Sequence, residues 1–139
     1  METVTYEFRF EYPRNPEDNP FPILQLRVLN PSDPLRGIDV DAYLDSGAEY
    51  SLFNGWIAKS LGLSLLEGVP RKYGPIIGEV IEGRVHQVRL SHPNLGYFDI
   101  DIGFSLGQIR RDILGRDFFN QVQIGFREKQ LSYYITPTP

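Results

Sequence analysis

Apolar residues at every second position are the feature of this sequence that most limits its fold. The clearest stretch covers residues 4–12, where aromatic and branched side chains alternate with threonine, glutamate and arginine. Residues 38–44, 98–102 and 131–135 repeat the pattern. Successive side chains of a β-strand point to opposite faces, so this spacing places the apolar groups of each stretch on one face. The pattern predicts an all-β domain of about seven strands.

Proline and glycine divide the chain into segments. Four prolines fall within residues 13–22. Because proline cannot donate to a sheet ladder, this segment is predicted to be a connector. Residues 69–90 are rich in β-branched residues and are interrupted by several glycines. That composition predicts a long hairpin with a glycine-containing tip.

One short segment has the spacing of a helix instead. Phe53 and Ile57 lie four residues apart, and a leucine follows after four more, which places all three on one helix face. Asn54 can cap the start of such a helix, and a glycine follows its end. We therefore predict a helix over about residues 54–62, with Trp56 in the core.

Length and hydrophobic content set the number of domains. The chain has 139 residues, of which 41% are hydrophobic, and this is enough to bury one core. We expect a single domain over residues 1–139. Residues 1–21 would form an N-terminal strand and a proline-rich connector, and residues 22–136 would form the core.

Charge and cysteine content exclude several classes of function. The net charge is -4 and the basic residues are scattered, so we expect no nucleic-acid partner and no membrane partner, but neutral or basic molecules or another copy of the chain. The absence of cysteine excludes disulfides, thiolate metal sites and cysteine nucleophiles. Residues 1–10 carry charges among their apolar residues, which is unlike a signal peptide or a membrane span. We expect a soluble, cytoplasmic protein.

Two motifs carry the chemical information of the sequence. They are Asp45-Ser46-Gly47-Ala48, at the end of a predicted strand, and Asp112-Ile113-Leu114-Gly115-Arg116-Asp117. In this order, with a glycine-tipped hairpin between them, they resemble the signature of the retropepsin family, the single-domain aspartic proteases of retroviral type with cellular and bacterial members. The resemblance covers roughly residues 22–136. It implies the acid protease fold, a closed β-barrel half with a flap hairpin and one or two short helices.

The resemblance also implies an activity and a partner. The family hydrolyses peptide bonds with two aspartates that share one proton, one activating a water molecule and the other polarising the scissile carbonyl. This sequence contains one such motif, so the second catalytic group would be Asp45 of another chain in a homodimer. The protein is thus identified with the aspartic endopeptidases, acting on a peptide or protein substrate. The mechanism requires no covalent intermediate, metal or cofactor.

The family pattern assigns supporting roles to the neighbours of Asp45. Ser46 would reach the loop of the partner chain, Gly47 would let the backbone approach the paired carboxylates, and Ala48 would keep that approach narrow. Gly115 belongs to the second motif of the signature.

A second set of roles concerns an ion pair and a helix cap. Arg116 would form an ion pair with Glu49 through its planar donor fork. Asp117 would cap a short helix that begins at Phe118.

Substrate contacts follow from the same resemblance. The hairpin over about residues 71–88 matches the flap that closes over the substrate in this family, with its tip near Ile76, Ile77 and Gly78. Leu44 and Tyr50 are the further residues that we expect in the substrate pockets.

Other interpretations fit parts of the sequence. One is a peptide-binding or dimerisation module of the same fold with little or no proteolytic activity. Another is a structural adaptor in which residues 45–48 form only a tight turn. The aspartates at positions 39, 41 and 45 lack the spacing of a calcium loop. His86 and His92 stand alone and are expected to be structural or surface residues.

Overall fold

The computed structural model of this protein describes residues 1–74 and 78–138. The strands in this part are β1 (Phe8–Glu11), β2 (Ile23–Asn30), β3 (Asp33–Leu44), β4 (Leu52–Asn54), β5 (Val69–Tyr73), β6 (Ile81–His92), β7 (Gly96–Ser105), β8 (Asp112–Leu114), β9 (Val122–Arg127) and β10 (Ser132–Pro137). The α-helices are α1 (Gly55–Ser60) and α2 (Arg116–Phe119). The predicted all-β class with one or two short helices is confirmed. Among the described helices, none has the length and apolar character needed to span a lipid bilayer.

The larger sheet encloses the core. Its seven strands lie in the order β2-β3-β8-β4-β7-β6-β5, and β2 also pairs with β6, which closes the sheet on itself. The apolar faces of these strands point inward, as the period of two predicts. Most of the buried apolar residues of β2, β3 and β7 form one cluster with Phe53, Ile57 and Phe118.

The smaller sheet joins the two ends of the chain in the order β1-β10-β9. The first strand is shorter than the predicted stretch of residues 4–12, because its pairing with β10 begins at Phe8, opposite Ile135. Tyr6 instead packs against Tyr134 with the two rings tilted by 42° and their centroids 5.7 Å apart. Tyr12 is buried in the main core, so the residue that follows β1 packs against the larger sheet.

The predicted hairpin is formed by β5 and β6. The pairing runs from Val69 opposite Val85 to Tyr73 opposite Ile81. β6 continues beyond this hairpin, and its residues from Gly83 to His92 pair with the whole of β7. The hairpin therefore extends from the closed sheet, and Tyr73 opposite Ile81 is its last described pair.

Helix α1 begins at Gly55, within the range that the sequence predicts, but two details differ. Asn54 occupies the N-cap position without a side-chain capping bond, because its Oδ1 accepts from the Ile109 N–H (2.9 Å) and its Nδ2 donates to Asp112 (3.0 Å). Trp56 is 54% exposed, so its predicted place in the core is wrong. In a helix of six residues, Ile57 and its neighbour Ala58 fill the contact with the core, and Trp56 faces outward.

Candidate active site

Strand β3 determines which side chains reach the site. Val40, Ala42 and Leu44 are buried in the core, whereas Tyr43 and Asp45 point to the other face of the strand. Leu44 is only 6% exposed, so it does not line a substrate pocket as predicted. Leu44 is the residue directly before Asp45, and adjacent side chains of an extended chain point to opposite faces of the sheet.

The loop after β3 holds the Asp45 carboxylate in an exposed position. The backbone N–H of Asp45 donates to the Leu114 carbonyl at 3.0 Å. Its Oδ1 accepts from the Gly47 N–H at 2.9 Å, and its carbonyl accepts from the Ala48 N–H at 3.2 Å. A Cβ atom at Gly47 would lie 3.2 Å from Oδ1, so glycine leaves the carboxylate unobstructed. Ser46 is exposed beside it.

Parallel pairing of β3 and β8 brings the two sequence motifs together. Tyr43 lies opposite Ile113 and Leu44 opposite Leu114, so both strands end at the same edge of the sheet. The Arg116 N–H then donates to the Ala48 carbonyl at 2.8 Å. The two motifs are nearly seventy residues apart in sequence, and backbone hydrogen bonds join them on both sides of the Asp45 loop.

Asp112 fixes the other end of β8. Its Oδ1 accepts from the backbone N–H of Asn54 at 2.8 Å and from the Asn54 side chain at 3.0 Å. Burial raises the pKa of Asp112, and the hydrogen bonds from Asn54 act in the opposite direction. β8 is thus attached to β4 through a carboxylate and to β3 through the backbone.

Ser51 and Asp117 form a link that sequence reasoning missed. Ser51 is fully buried, and its Oγ donates to Asp117 Oδ1 at 2.6 Å and accepts from the Gly115 N–H at 2.9 Å. Asp117 Oδ2 accepts from the Ser51 N–H at 2.9 Å. Both carboxylate oxygens of Asp117 are therefore occupied by Ser51. The only signal in the sequence was a polar residue followed by the apolar Leu52 and Phe53.

Asp117 was predicted to cap a helix beginning at Phe118, and this is wrong. Helix α2 begins at Arg116 with Gly115 as its N-cap residue, so Asp117 lies inside the first turn. Its Oδ1 also accepts from the adjacent Phe118 N–H at 2.8 Å. The carboxylate therefore joins α2 to Ser51, which follows the Asp45 loop, instead of capping the helix.

Replacing Asp117 by Asn is expected to lower the free energy of unfolding by about 1–3 kcal/mol, because an amide offers one acceptor oxygen where Ser51 needs two. Chemical denaturation of the purified variant measures this change. Asp33→Asn is the matched control, since Asp33 is exposed and makes no ion pair or side-chain hydrogen bond within the described residues. Equal stability of the two variants would contradict a structural role for the link.

Arg116 and Glu49 are not brought together as predicted. Both side chains are exposed, and no ion pair joins them within the described part of the chain. Arg116 contributes its backbone N–H to the Ala48 carbonyl instead. Arg116 is the first residue of helix α2 and its side chain is exposed, whereas the Ser51–Asp117 hydrogen bonds join this helix to the segment after the Asp45 loop.

The site opens into a cleft of about 650 Å³ between the Asp45 loop and the β5–β6 hairpin. Its lining residues are Asp45, Gly47, Ala48, Glu49, Tyr50, Leu52, Lys72, Tyr73, Gly74, Ile81 and Ile113. Tyr50, predicted as a pocket residue, is one of these lining residues. The central carbon of the Arg71 guanidinium lies 4.0 Å from the centroid of the Tyr50 ring. Gly78 is exposed, with a φ of 127°. Ile76 and Ile77 lie outside the described residues.

The sequence matches no protein-family model and none of the curated proteins with which it was compared. Its structure is similar to two solved structures. A retropepsin-like aspartic protease from Rickettsia conorii shares 16% sequence identity over 99% of this chain and 100% of the other, with a TM-score of 0.63. The EIAV protease, in complex with the inhibitor HBY-793, shares 19% identity over 72% of this chain and 86% of the other, with a TM-score of 0.50.

These similarities extend beyond the arrangement of individual strands. The first covers both chains almost completely, including the small terminal sheet. The closed sheet, the hairpin beside the cleft and the short helix after Gly115 correspond to the architecture that the two motifs predicted. At identities below one fifth, the likeness concerns the fold. The chain therefore has the fold of the retropepsin-like aspartic proteases.

Proposed function

We propose that the protein is an aspartic endopeptidase that hydrolyses peptide bonds with Asp45. The observation that carries this proposal is the exposed Asp45 carboxylate, which the Gly47 amide orients at the floor of a cleft large enough for a peptide segment. Two solved structures with the same fold are of aspartic proteases, one of them with a bound inhibitor, and this agrees with such a use of the cleft.

The second catalytic carboxylate would come from another copy of the chain. One chain supplies one Asp-Ser-Gly motif, and the chemistry needs two carboxyl groups close enough to share a proton. A two-fold axis beside the Asp45 loop would place Asp45 of each subunit at the same site. Ser46, which is exposed, would then bond the loop of the partner through its hydroxyl.

Hydrolysis would proceed by general acid-base catalysis. The ionised carboxylate takes a proton from a water molecule, which attacks the scissile carbonyl, and the protonated carboxyl donates to the carbonyl oxygen. The β5–β6 hairpin would act as the flap. Lys72, Tyr73 and Ile81 already line the cleft opposite Asp45, so closure of the hairpin would remove water from the reacting groups.

A peptide mimic with a central hydroxyl group in place of the scissile carbonyl tests this proposal. Such a compound resembles the tetrahedral transition state and should raise the Tm of the wild-type protein by several degrees at concentrations about a hundredfold above its Kd. Differential scanning fluorimetry measures the shift. The Asp45→Asn variant should lose most of it, because the hydroxyl would no longer lie between two acidic groups.

Turnover and assembly are checked in the same preparation. Cleavage of a peptide library between about pH 3 and pH 7 covers the range in which a carboxyl pair can hold one shared proton. Analytical ultracentrifugation over the same range should show a dimer wherever cleavage occurs. A protein that binds the mimic but cleaves no peptide would instead be a binding module, and a strict monomer would contradict the shared active site.

A further inference from the structure

Arg111 lies on the face of the sheet that carries Asp45. Ile113 lines the cleft and pairs with Tyr43, which is two residues before Asp45 on β3. Arg111 precedes Ile113 by two residues, and side chains two positions apart in an extended chain point the same way. Arg111 and Tyr43 both line a neighbouring cavity of about 210 Å³. Tyr43 and Ile113 pair side by side, so the residues that line this cavity and those that line the cleft meet on the same face of the sheet.

Two aromatic rings hold the Arg111 guanidinium in place. Its central carbon lies 4.7 Å from the ring centroid of Phe21 and 4.6 Å from that of Tyr43. The two rings are themselves 5.8 Å apart. Contact between a guanidinium and ring faces stabilises the cation and leaves the N–H groups at its edge available. The side chain is therefore ordered before any ligand binds.

Phe21 connects this cluster to the catalytic loop. Tyr43 pairs with Ile23, and the Leu44 N–H donates to the Pro22 carbonyl at 2.9 Å. The Arg111 guanidinium thus contacts the ring of Tyr43, which lies two residues before Asp45, and the ring of Phe21, whose neighbour Pro22 is bonded to Leu44.

The acidic groups near Arg111 have other partners or lie beyond ion-pair distance. Glu17 binds the adjacent Arg110 at 2.8 Å, and Asp112 accepts two hydrogen bonds from Asn54. Asp41 lines the same cavity but is not within 4.0 Å of the Arg111 nitrogens. Within residues 1–74 and 78–138, Arg111 is in no ion pair.

We propose that Arg111 binds an acidic side chain of the peptide substrate, so that the enzyme prefers Asp or Glu close to the scissile bond. This inference rests on the proposed peptidase function and adds a substrate class to it. The planar fork can bind a carboxylate through two parallel hydrogen bonds, and the flanking rings limit its access to water. The net charge of -4 by itself disfavours acidic peptides, and the Arg111 cation would offset this repulsion locally.

Matched peptides that differ only by Glu or Gln at one position test this preference. The pair is placed in turn at each of the three positions on either side of the scissile bond of a cleaved library peptide. At one of them, wild-type kcat/KM should be about tenfold higher for Glu, as expected for a charge-assisted contact that is half exposed. Arg111→Met keeps a linear side chain between the rings and should abolish the difference. Arg111→Glu should favour Lys over Glu at that position.

Lys129→Met and Lys129→Glu are the matched controls, because Lys129 is exposed in the turn between β9 and β10 and the charge changes are the same. They should keep the wild-type preference. Equal rates on Glu and Gln peptides at every position would overturn the proposal. The proposal would also be overturned if Arg111→Met lost the same share of activity on the Glu and Gln peptides. That result would assign Arg111 a structural role.

Measurements of peptide binding distinguish a failure of the peptidase proposal from a failure of the acidic subsite. If the wild type cleaves no peptide, the same Glu and Gln peptides are tested by fluorescence anisotropy with the intact protein. A preference for Glu that Arg111→Met removes would support the acidic subsite without catalysis. Equal affinities, or no binding, would overturn it.

Discussion

Replacement of Asp45 by Asn is expected to reduce peptide hydrolysis by roughly a thousandfold or more, because the amide can neither take the proton from water nor hold the shared proton. The fold should persist. Asp45 is exposed, and its one side-chain hydrogen bond within the described residues, from the Gly47 N–H, can be accepted equally by the amide oxygen of Asn. Initial rates on the best library peptide measure the loss, and circular dichroism with a thermal melt measures the fold.

Asp101→Asn is the control for this substitution. Asp101 is an exposed carboxylate of β7 that does not line the Asp45 cleft, and its replacement changes the net charge by the same amount. The control should keep wild-type activity. Retained hydrolysis in Asp45→Asn would show that residues 45–48 form a turn without catalytic use.

A mixing experiment asks whether two chains share the active site. Wild-type protein is incubated with a roughly threefold excess of Asp45→Asn protein under conditions that allow subunit exchange. Activity per wild-type subunit should fall to about a quarter, since random pairing leaves one wild-type subunit in four with a wild-type partner. Unchanged activity would mean that each chain works alone.

Replacement of Gly115 by Ala is expected to lower the free energy of unfolding by roughly 3 kcal/mol, because a Cβ atom has no room there. It would lie 2.6 Å from the Ala48 carbonyl oxygen and 3.0 Å from the carbonyl carbon of Tyr50. Both contacts are with backbone, so no side-chain rotation relieves them. For a chain of this length, the Tm should fall by about 10 °C. Displacement of residues 48–50 would also disturb the Asp45 loop and lower activity.

Gly107→Ala provides the matched control. No atom lies within 4 Å of the position that its Cβ would take, so its stability should stay close to that of the wild type. A Gly115→Ala protein as stable as Gly107→Ala would contradict the close approach of the two motifs.

Local patterns were sufficient to predict the class of fold and the position of Asp45. Alternation fixes which side chains of a strand share a face, and β7 follows its prediction closely, with Phe98, Ile100 and Ile102 all buried. The same alternation already placed Leu44 on the core face, so its assignment to a substrate pocket gave proximity in sequence more weight than the direction of the side chain.

Strand β9 was not predicted, although its sequence carries the alternating pattern. Val122, Ile124 and Phe126 alternate with Gln123, Gly125 and Arg127. Glycine inside a short segment weakens the strand signal, since it has no side chain to pack. Pairing with β10 supplies the hydrogen-bond partners, from Arg127 opposite Ser132 to Val122 opposite Pro137.

The sequence by itself determined which groups could do chemistry: one aspartate after an apolar strand, a glycine motif far downstream and an intervening hairpin. The tertiary structure decided which groups meet. Ser51 and Asp117 are 66 positions apart, and Phe21, Tyr43 and Arg111 come from three separate segments. Such contacts depend on the antiparallel register of β2 with β3 and the parallel register of β3 with β8. Registers between distant strands are set by the packing of the whole core, which no local pattern encodes.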